Sequence, residues 1–535
     1  MKPIQQLRFG FSDAENYKRR ENKELFNQLF IRTRSLDHLI SDQAFFLIGE
    51  KGTGKTAYSV YLENNQYQNT RARISYIRET EYQSFIGLKK EKHLLVSDYA
   101  GIWKVILLVL LAKEVRDDDL QLGGLSKYLR FDALRNAIDG FYNRAFSPEI
   151  VNVFKMLHEE ELAMEFFKES AKSDSGDKGL VSFTENRFQA NLLYIEYQLR
   201  QAFQTLHIKR NLILFIDGID IRPSNIPFLE YHECIKGLAN AIWSLNNDFF
   251  PRLRDSAGRV KVVLLVRPDI FASLGLQNQN AKLRDNCVLL DWRTTYKECR
   301  YSELFRVADR ILSSQQQGTH EEGRCWDYYF PYRVALESDT TDHSGSSFVS
   351  FLRYSYYRPR DIVTMLTILQ ELWIQRRKPA DAVFSQADFN DSEFRFRYAH
   401  YLLGEVKDHL SFYYSDKDYE LFLKFFEFLN GAVQFSYEAY CNAYNAFREF
   451  ARRNNRAVPA FFDTADIFLQ FLYELNILFF TEQMENGPLP LFRLCLRERS
   501  YSNLSPKVKT NRDYEIFYGI SRALNLGKSY TRSQY

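Results

Sequence analysis

The chain has 535 residues, 45% of them hydrophobic and 16% aromatic, so it is not a disordered polymer and is too long for one core; about two to four domains are expected. A formal net charge of +3 supplies no whole-chain attraction to nucleic acid. Six scattered cysteines without a CxxC pair read as reduced thiols of a cytoplasmic protein rather than as a disulfide framework.

The opening, MKPIQQLRFGFSD, has no apolar signal core. Residues 1–43 are polar and helix-prone after Ser12-Asp13, with Leu25, Leu29, Phe30, Leu36 and Leu39 marking an N-terminal helical segment packed against the next domain. The apolar run from Ala44 to Ile48 predicts a buried strand. It breaks at Gly49 and reaches Gly54-Lys55-Thr56 after four residues, the spacing of the Walker A phosphate loop. A triphosphate needs backbone N–H groups aimed inward, which Gly49, Gly52 and Gly54 permit. Glu50, Lys51 and Thr53 complete the loop, Lys55 sets a positive charge against the β- and γ-phosphates, and Thr56 offers a hydroxyl to Mg²⁺. The segment Ala57–Glu63 predicts a helix whose N-terminus faces the phosphates.

A second strand is expected over Arg73–Glu79. The longest apolar run, Ile102–Ala112, is too short to span a bilayer and carries Lys104, so it predicts a buried helix and no membrane partner. A helical insertion is expected over about 131–180, closed by the loop Lys172–Gly179, and Glu185–His207 has helical periodicity. Asn211–Asp217, NLILFID, suits a central parallel strand. It ends in Asp217-Gly218-Ile219-Asp220, a Walker B pattern: Asp217 at the strand end can hold Mg²⁺, and Asp220 can orient the attacking water. The alternative is an Asx turn capping the next helix. Phe228–Phe250 predicts a helix and Val260–Val266 another buried strand, ending at Arg267, where a polar residue can reach the γ-phosphate; the alternative for Arg267 is an ion pair. With a short strand at 286–290, alternating strands and helices over 44–293 predict an α/β nucleotide-binding core with a parallel sheet.

Residues 294–390 read as a helical lid. Pro359 stands in the first turn of a helix, and Arg360 beside it can point back toward a nucleotide or pair with a carboxylate. Residues 391–535 predict three helices and a hairpin around Asn486-Gly487-Pro488, the layout of a winged helix. The third helix carries Asp463, Asp466 and Glu474 and no basic residue, whereas Arg448, Arg452, Arg493, Arg497 and Lys509 lie elsewhere. DNA binding, protein contact and a solvated charged face all fit that pattern. No HExxH pair, clustered zinc ligands or Ser/Cys nucleophile motif is present.

GEKGTGKT at 49–56, FIDGID at 215–220, VRPDIF at 266–271 and YRPRD at 357–361 together resemble bacterial STAND/AAA+-type P-loop ATPases. The opening, RFGFSDAENYKRRENKELFNQLF, and the layout are more similar to FunZ-type proteins, P-loop ATPases of temperate phages and prophages linked to exclusion of other phages. The resemblance implies ATP and Mg²⁺ as ligands, Lys55, Thr56 and Asp217 on ATP·Mg²⁺, Asp220 near the water, Arg267 and Arg360 as sensors, and a homo-oligomer or partner protein. It departs from many relatives at Gly218, where an acid often follows the strand-end Asp; Asp220 must then supply the acid, which suits a slow switch. Two other functions stay open on the residues, a DNA-remodelling ATPase and a nucleotide-gated scaffold without turnover.

Overall fold

A computed structural model describes residues 1–77, 99–116, 119, 185–222, 226–253, 256–335, 344–376, 379, 383–483 and 490–527. The expected insertion over about 131–180, its loop at 172–179 and the hairpin tip at 486–488 lie outside the described residues. The chain forms two compact units. One gathers Met1–Thr33, Glu50–Gly54 and Asp291–Tyr535, the other Arg34–Gly49 and Lys55–Leu290. The N-terminal segment is thus divided at Arg34. Among the described residues, no helix is long and apolar enough to cross a membrane.

The second unit is α/β. Its strands are β1 (Phe46–Ile48), β2 (Thr70–Tyr76), β3 (Asn211–Asp217), β4 (Val260–Val266) and β5 (Cys287–Leu289). They form one parallel sheet in the order β2-β3-β4-β1-β5. Continuous apolar runs are required here because β3 and β4 have neighbours on both edges and are buried almost throughout. The helix Tyr99–Glu114 packs against Glu185–Thr205 and Phe228–Ser244, which explains why its Ile102–Ala112 run is apolar nearly all round. The exception in β4 is Lys261. Its ammonium donates to Leu39 O at 2.5 Å and Ser41 O at 2.6 Å, at the C-terminal end of the helix Arg34–Ile40. Burial pulls its pKa down to about 7, against the pull of nearby Asp42. The helix-end carbonyls favour the charged form and account for a lysine inside a buried strand.

The first unit is mostly helical; within 294–390, read as a helical lid, it also carries a short antiparallel ribbon of β6 (Arg333–Ala335) and β7 (Ser344–Ser346). The helices Asp416–Glu427, Tyr437–Arg453 and Ala465–Glu474 succeed one another as expected. Edge-on Phe rings join them: Phe425 meets Phe468 at 4.6 Å and Phe447 at 6.0 Å between centroids. Next comes an antiparallel sheet of β8 (Gln434–Ser436), β9 (Leu478–Gln483), β10 (Pro490–Arg493) and β11 (Asp513–Ile516), ordered β10-β9-β11-β8. The hairpin β9–β10 was expected; β8 and β11 were not, being too short to show a period. Residues 1–33 are held by this unit's own polar groups. Gln370 Nε2 donates to Ile4 O and Leu7 O at 2.7 and 2.9 Å, and Tyr329 donates to Lys2 O at 2.6 Å.

A buried ion pair starts the helix Pro359–Gln375. Arg358 forks onto Asp361, with Nη2 to Oδ1 at 2.6 Å and Nε to both oxygens at 3.0 Å. Asp361 is fully buried and also accepts from Tyr356 N at 2.8 Å and the Tyr401 hydroxyl at 3.0 Å. Removing one member of such a pair strands the other charge away from water. Asp361→Ala should therefore cost about 3–5 kcal/mol of stability in urea unfolding of the full chain. A loss below about 1 kcal/mol would put the pair in the class of exposed ion pairs.

Candidate functional site

In the second unit, the chain leaves β1 toward β2 past β4 and β3, and leaves β4 toward β5 past β1. The connections diverge between the carboxyl ends of β1 and β4, the place where open α/β sheets bind ligands. The segment 49–54 leaves β1 there and enters the helix Lys55–Asn64. Gly49 N donates to Val266 O at 3.2 Å, prolonging the β1–β4 ladder by one step. Lys55 is buried, and its ammonium donates to Gly49 O at 2.8 Å. Thr56, in the first turn of the helix, donates its hydroxyl to Asp217 Oδ2 at 2.7 Å across 161 positions of sequence.

Asp217 ends β3 in the core. Burial, and next the nearby charge of Asp220, push its carboxyl pKa up to about 6; Thr56, Lys55 and the Gly218 N–H, which donates to Oδ1 at 2.8 Å, pull the other way. The residue after it is glycine for a steric reason. Gly218 has φ +85°, and a Cβ there would stand 2.5 Å from Ile77 O at the end of β2. No acidic side chain fits at 218 without moving that strand end. The turn that carries Asp220 is pinned from the helix Phe228–Ser244, where the buried Tyr231 hydroxyl donates to Ile219 O at 2.8 Å. Arg267 ends β4 at 1% exposure and forks onto Asp269, Nε to Oδ1 at 3.1 Å and Nη2 to Oδ2 at 2.8 Å. The ion-pair alternative is thus what the geometry holds there, in the interior rather than at the surface.

In the first unit, residues Glu50–Gly54 are gripped by side chains that sequence patterns did not single out. Arg358 Nη1 donates to Lys51 O at 2.8 Å. Trp292 Nε1 donates to Thr53 O at 2.9 Å. Arg499 bonds Glu50, and Lys51 pairs with Asp408 and, at 3.6 Å, with Glu405. Arg360 N donates to Gly52 O at 3.3 Å, its Nε to Ser12 O at 2.9 Å, and its Nη1 faces Glu405 at 3.4 Å. Gly52 has φ +86°, and a Cβ on it would meet Arg360 Cβ at 3.0 Å. Arg358 stands in the same YRPRD stretch as Arg360, but nothing in the spacing separates a buried arginine from an exposed one.

The donors at the second unit's site are oxygens. One carboxylate and one hydroxyl, completed by phosphate and water oxygens, suit Mg²⁺, which is commonly held through one or two carboxylates. Among the described residues no group of three or more His, Cys, Asp or Glu is arranged to hold a metal without such help. No protein-family model matches the chain, and no curated protein matches it.

Because the carboxyl pKa of Asp217 rises from 3.8 to about 6 on burial, the folded chain holds this proton more tightly than the unfolded chain. Wild-type stability therefore falls as pH rises through that window and stays at the lower level above it. Asp217→Asn keeps an acceptor for Thr56 but cannot ionise. Its advantage over wild type should open between about pH 4 and 6 and level off at no more than ~3 kcal/mol. Urea unfolding of both proteins across that range measures it; a difference independent of pH would mean that Asp217 ionises as it does in water.

Proposed function

We propose that the chain binds ATP·Mg²⁺ through residues Gly49–Thr56 and hydrolyses it slowly, as a nucleotide-dependent switch. The observation that carries this is the Thr56–Asp217 hydrogen bond. It joins the last residue of the phosphate-loop motif to the strand-end acid, the two groups that share Mg²⁺ in P-loop NTPases. Support also comes from the order of the strands, which puts both groups at the carboxyl edge of the sheet near its switch point.

Within this proposal Lys55 leaves Gly49 O for the β- and γ-phosphates, and the N–H groups at the start of the helix Lys55–Asn64 face the same anion. Thr56 and Asp217 would hold Mg²⁺, which would supply positive charge beside the transferred phosphoryl group. Asp220, held on its turn by Tyr231, orients the attacking water. Gly218 leaves no room for an acid beside Asp217, which favours slow turnover. Arg267 and Arg360 act as sensors only on leaving Asp269 and Glu405. Self-association and a role in phage exclusion rest on the resemblance of the motifs.

The DNA-remodelling alternative loses ground on the pairing of its basic residues. Arg493 is held by Glu482 and Glu498, Lys509 by Glu482 and Arg453 by Glu449, so these charges are already compensated. On the helix that would read bases, Asp466 accepts from Tyr437 at 2.5 Å.

Lys55→Ala should weaken ATP binding at least about tenfold in calorimetric titration, the loss of one charge-assisted phosphate contact. Asp220→Asn should keep the wild-type Kd within about threefold and lower kcat by about tenfold or more. Unchanged ATP binding by Lys55→Ala would refute the site; binding without turnover by wild type would leave a nucleotide-gated scaffold. A phage challenge of cells carrying wild type or Lys55→Ala tests the exclusion role.

A further inference from the structure

A cavity of about 770 Å³ lies wholly within the first unit, and none of Gly49–Thr56 lines it. Its size falls in the range of small-molecule sites, roughly 300–1,000 Å³. Its walls come from the turn after Trp292, the stretch around Tyr354–Tyr357, and the C-terminal sheet with the segment just past β11. Five cationic side chains line it, Lys297, Arg353, Arg395, Arg497 and Arg522, against one acid, Glu515.

Three arginines here differ from many elsewhere in the unit. Arg300, Arg376, Arg397 and Arg493 are each paired with a carboxylate. Three of the four cavity arginines donate to uncharged oxygens: Arg353 to Ala335 O at 2.9 Å, Arg395 to Phe389 O at 3.2 Å and Asn390 Oδ1 at 2.6 Å, and Arg497 to the Tyr357 hydroxyl. Their charge is not cancelled by these bonds. The same guanidinium groups lie over aromatic faces. Arg497 is 5.3 Å from the Tyr357 centroid and 5.9 Å from that of Tyr296, and Arg395 is 5.9 Å from that of Tyr354. Phe479 and Phe492, edge to face at 5.5 Å, supply apolar wall.

Rings flanked by guanidinium groups that are bonded to neutral oxygens provide both halves of nucleotide recognition, a stacking surface for a base and charge for phosphate. We propose that this cavity is a second ligand site, separate from the phosphate loop, for a free nucleotide of one or two residues. The shared chemistry, a base joined to a phosphate, also occurs at a nucleic-acid strand end. The volume, within the range of small-molecule sites, favours the small molecule.

The test uses the full chain carrying Lys55→Ala, which weakens the phosphate-loop site, so that a loss of signal on the cavity substitutions reports the cavity alone. Fluorescent methylanthraniloyl-AMP is titrated and followed by anisotropy, with AMP, the dinucleotide pApA and a 5′-phosphorylated DNA hexamer as competitors. Saturable binding in the micromolar range is expected, displaced by AMP or pApA. It should weaken about tenfold or more in Lys297→Gln/Arg522→Gln and in Phe492→Ala, each checked for an unchanged unfolding midpoint. Absence of saturation up to about 1 mM, or binding indifferent to both sets of substitutions, would overturn the proposal. Displacement by the hexamer alone would assign the cavity to a strand end and overturn the free-nucleotide assignment. Failure here is distinguishable from failure of ATP binding at the phosphate loop, because Lys297, Arg522 and Phe492 line the cavity and belong to no part of Gly49–Thr56.

Discussion

The parallel ladder between β1 and β4 is the contact on which the candidate site depends. Ile48 pairs with Val266, and the ladder runs one step further through Gly49 N and Val266 O. That pairing sets Gly49, which opens the segment leading to Lys55, beside the end of β4. With β3 on the far edge of β4, Asp217 is held two strands from the loop, and the helix Lys55–Asn64 brings Thr56 within hydrogen-bond distance of it. A three-residue strand could not hold this register alone; β4 and β5 on its two edges do. The apolar character of β3 and β4 is therefore a requirement of the site as well as of the core.

Several buried charges among the described residues are placed as matched groups. Arg358 with Asp361 and Arg267 with Asp269 keep their guanidinium forks satisfied away from water, and Lys261 finds the carbonyls at a helix end. Such pairs add little net stability over apolar packing but make the loss of one partner costly, so they fix conformation. Asp217 is the contrast. Its neighbours include Asp220 as well as Lys55 and Thr56, and its carboxyl is pushed toward neutrality. A cation at this carboxylate would relieve the charge that burial and Asp220 make costly.

The cavity in the first unit shows the opposite arrangement, with guanidinium groups whose hydrogen bonds go to neutral oxygens and whose faces meet rings. Two kinds of arginine thus occur within one unit. Those of the C-terminal hairpin are neutralised by Glu482 and Glu498, while Arg353, Arg395 and Arg497 in the cavity wall keep their charge available to a ligand. The positions of the basic residues along the chain do not distinguish the two kinds.

The sequence by itself determined what local chemistry can determine. Gly49–Thr56 carries its own spacing, NLILFID and VKVVLLV carry their own burial, and the helices around them carry their own period, so the α/β class and the site's main residues were legible. Only tertiary structure decided which side chains meet. The order β2-β3-β4-β1-β5 depends on long-range pairing energies that no segment contains, and it brings Thr56 to Asp217. The glycine at 218 looked like a departure from a motif; the approach of Ile77 O supplies its steric reason. Arg267 and Arg360 stood at plausible distances from a phosphate along the chain, but Asp269 and Glu405 hold them. Arg358 and Arg499 gave no signal of their contact with Glu50–Gly54, and Arg497 stood out only as a basic residue of the C-terminal part, because a guanidinium group's partner is chosen by packing between segments far apart in the chain.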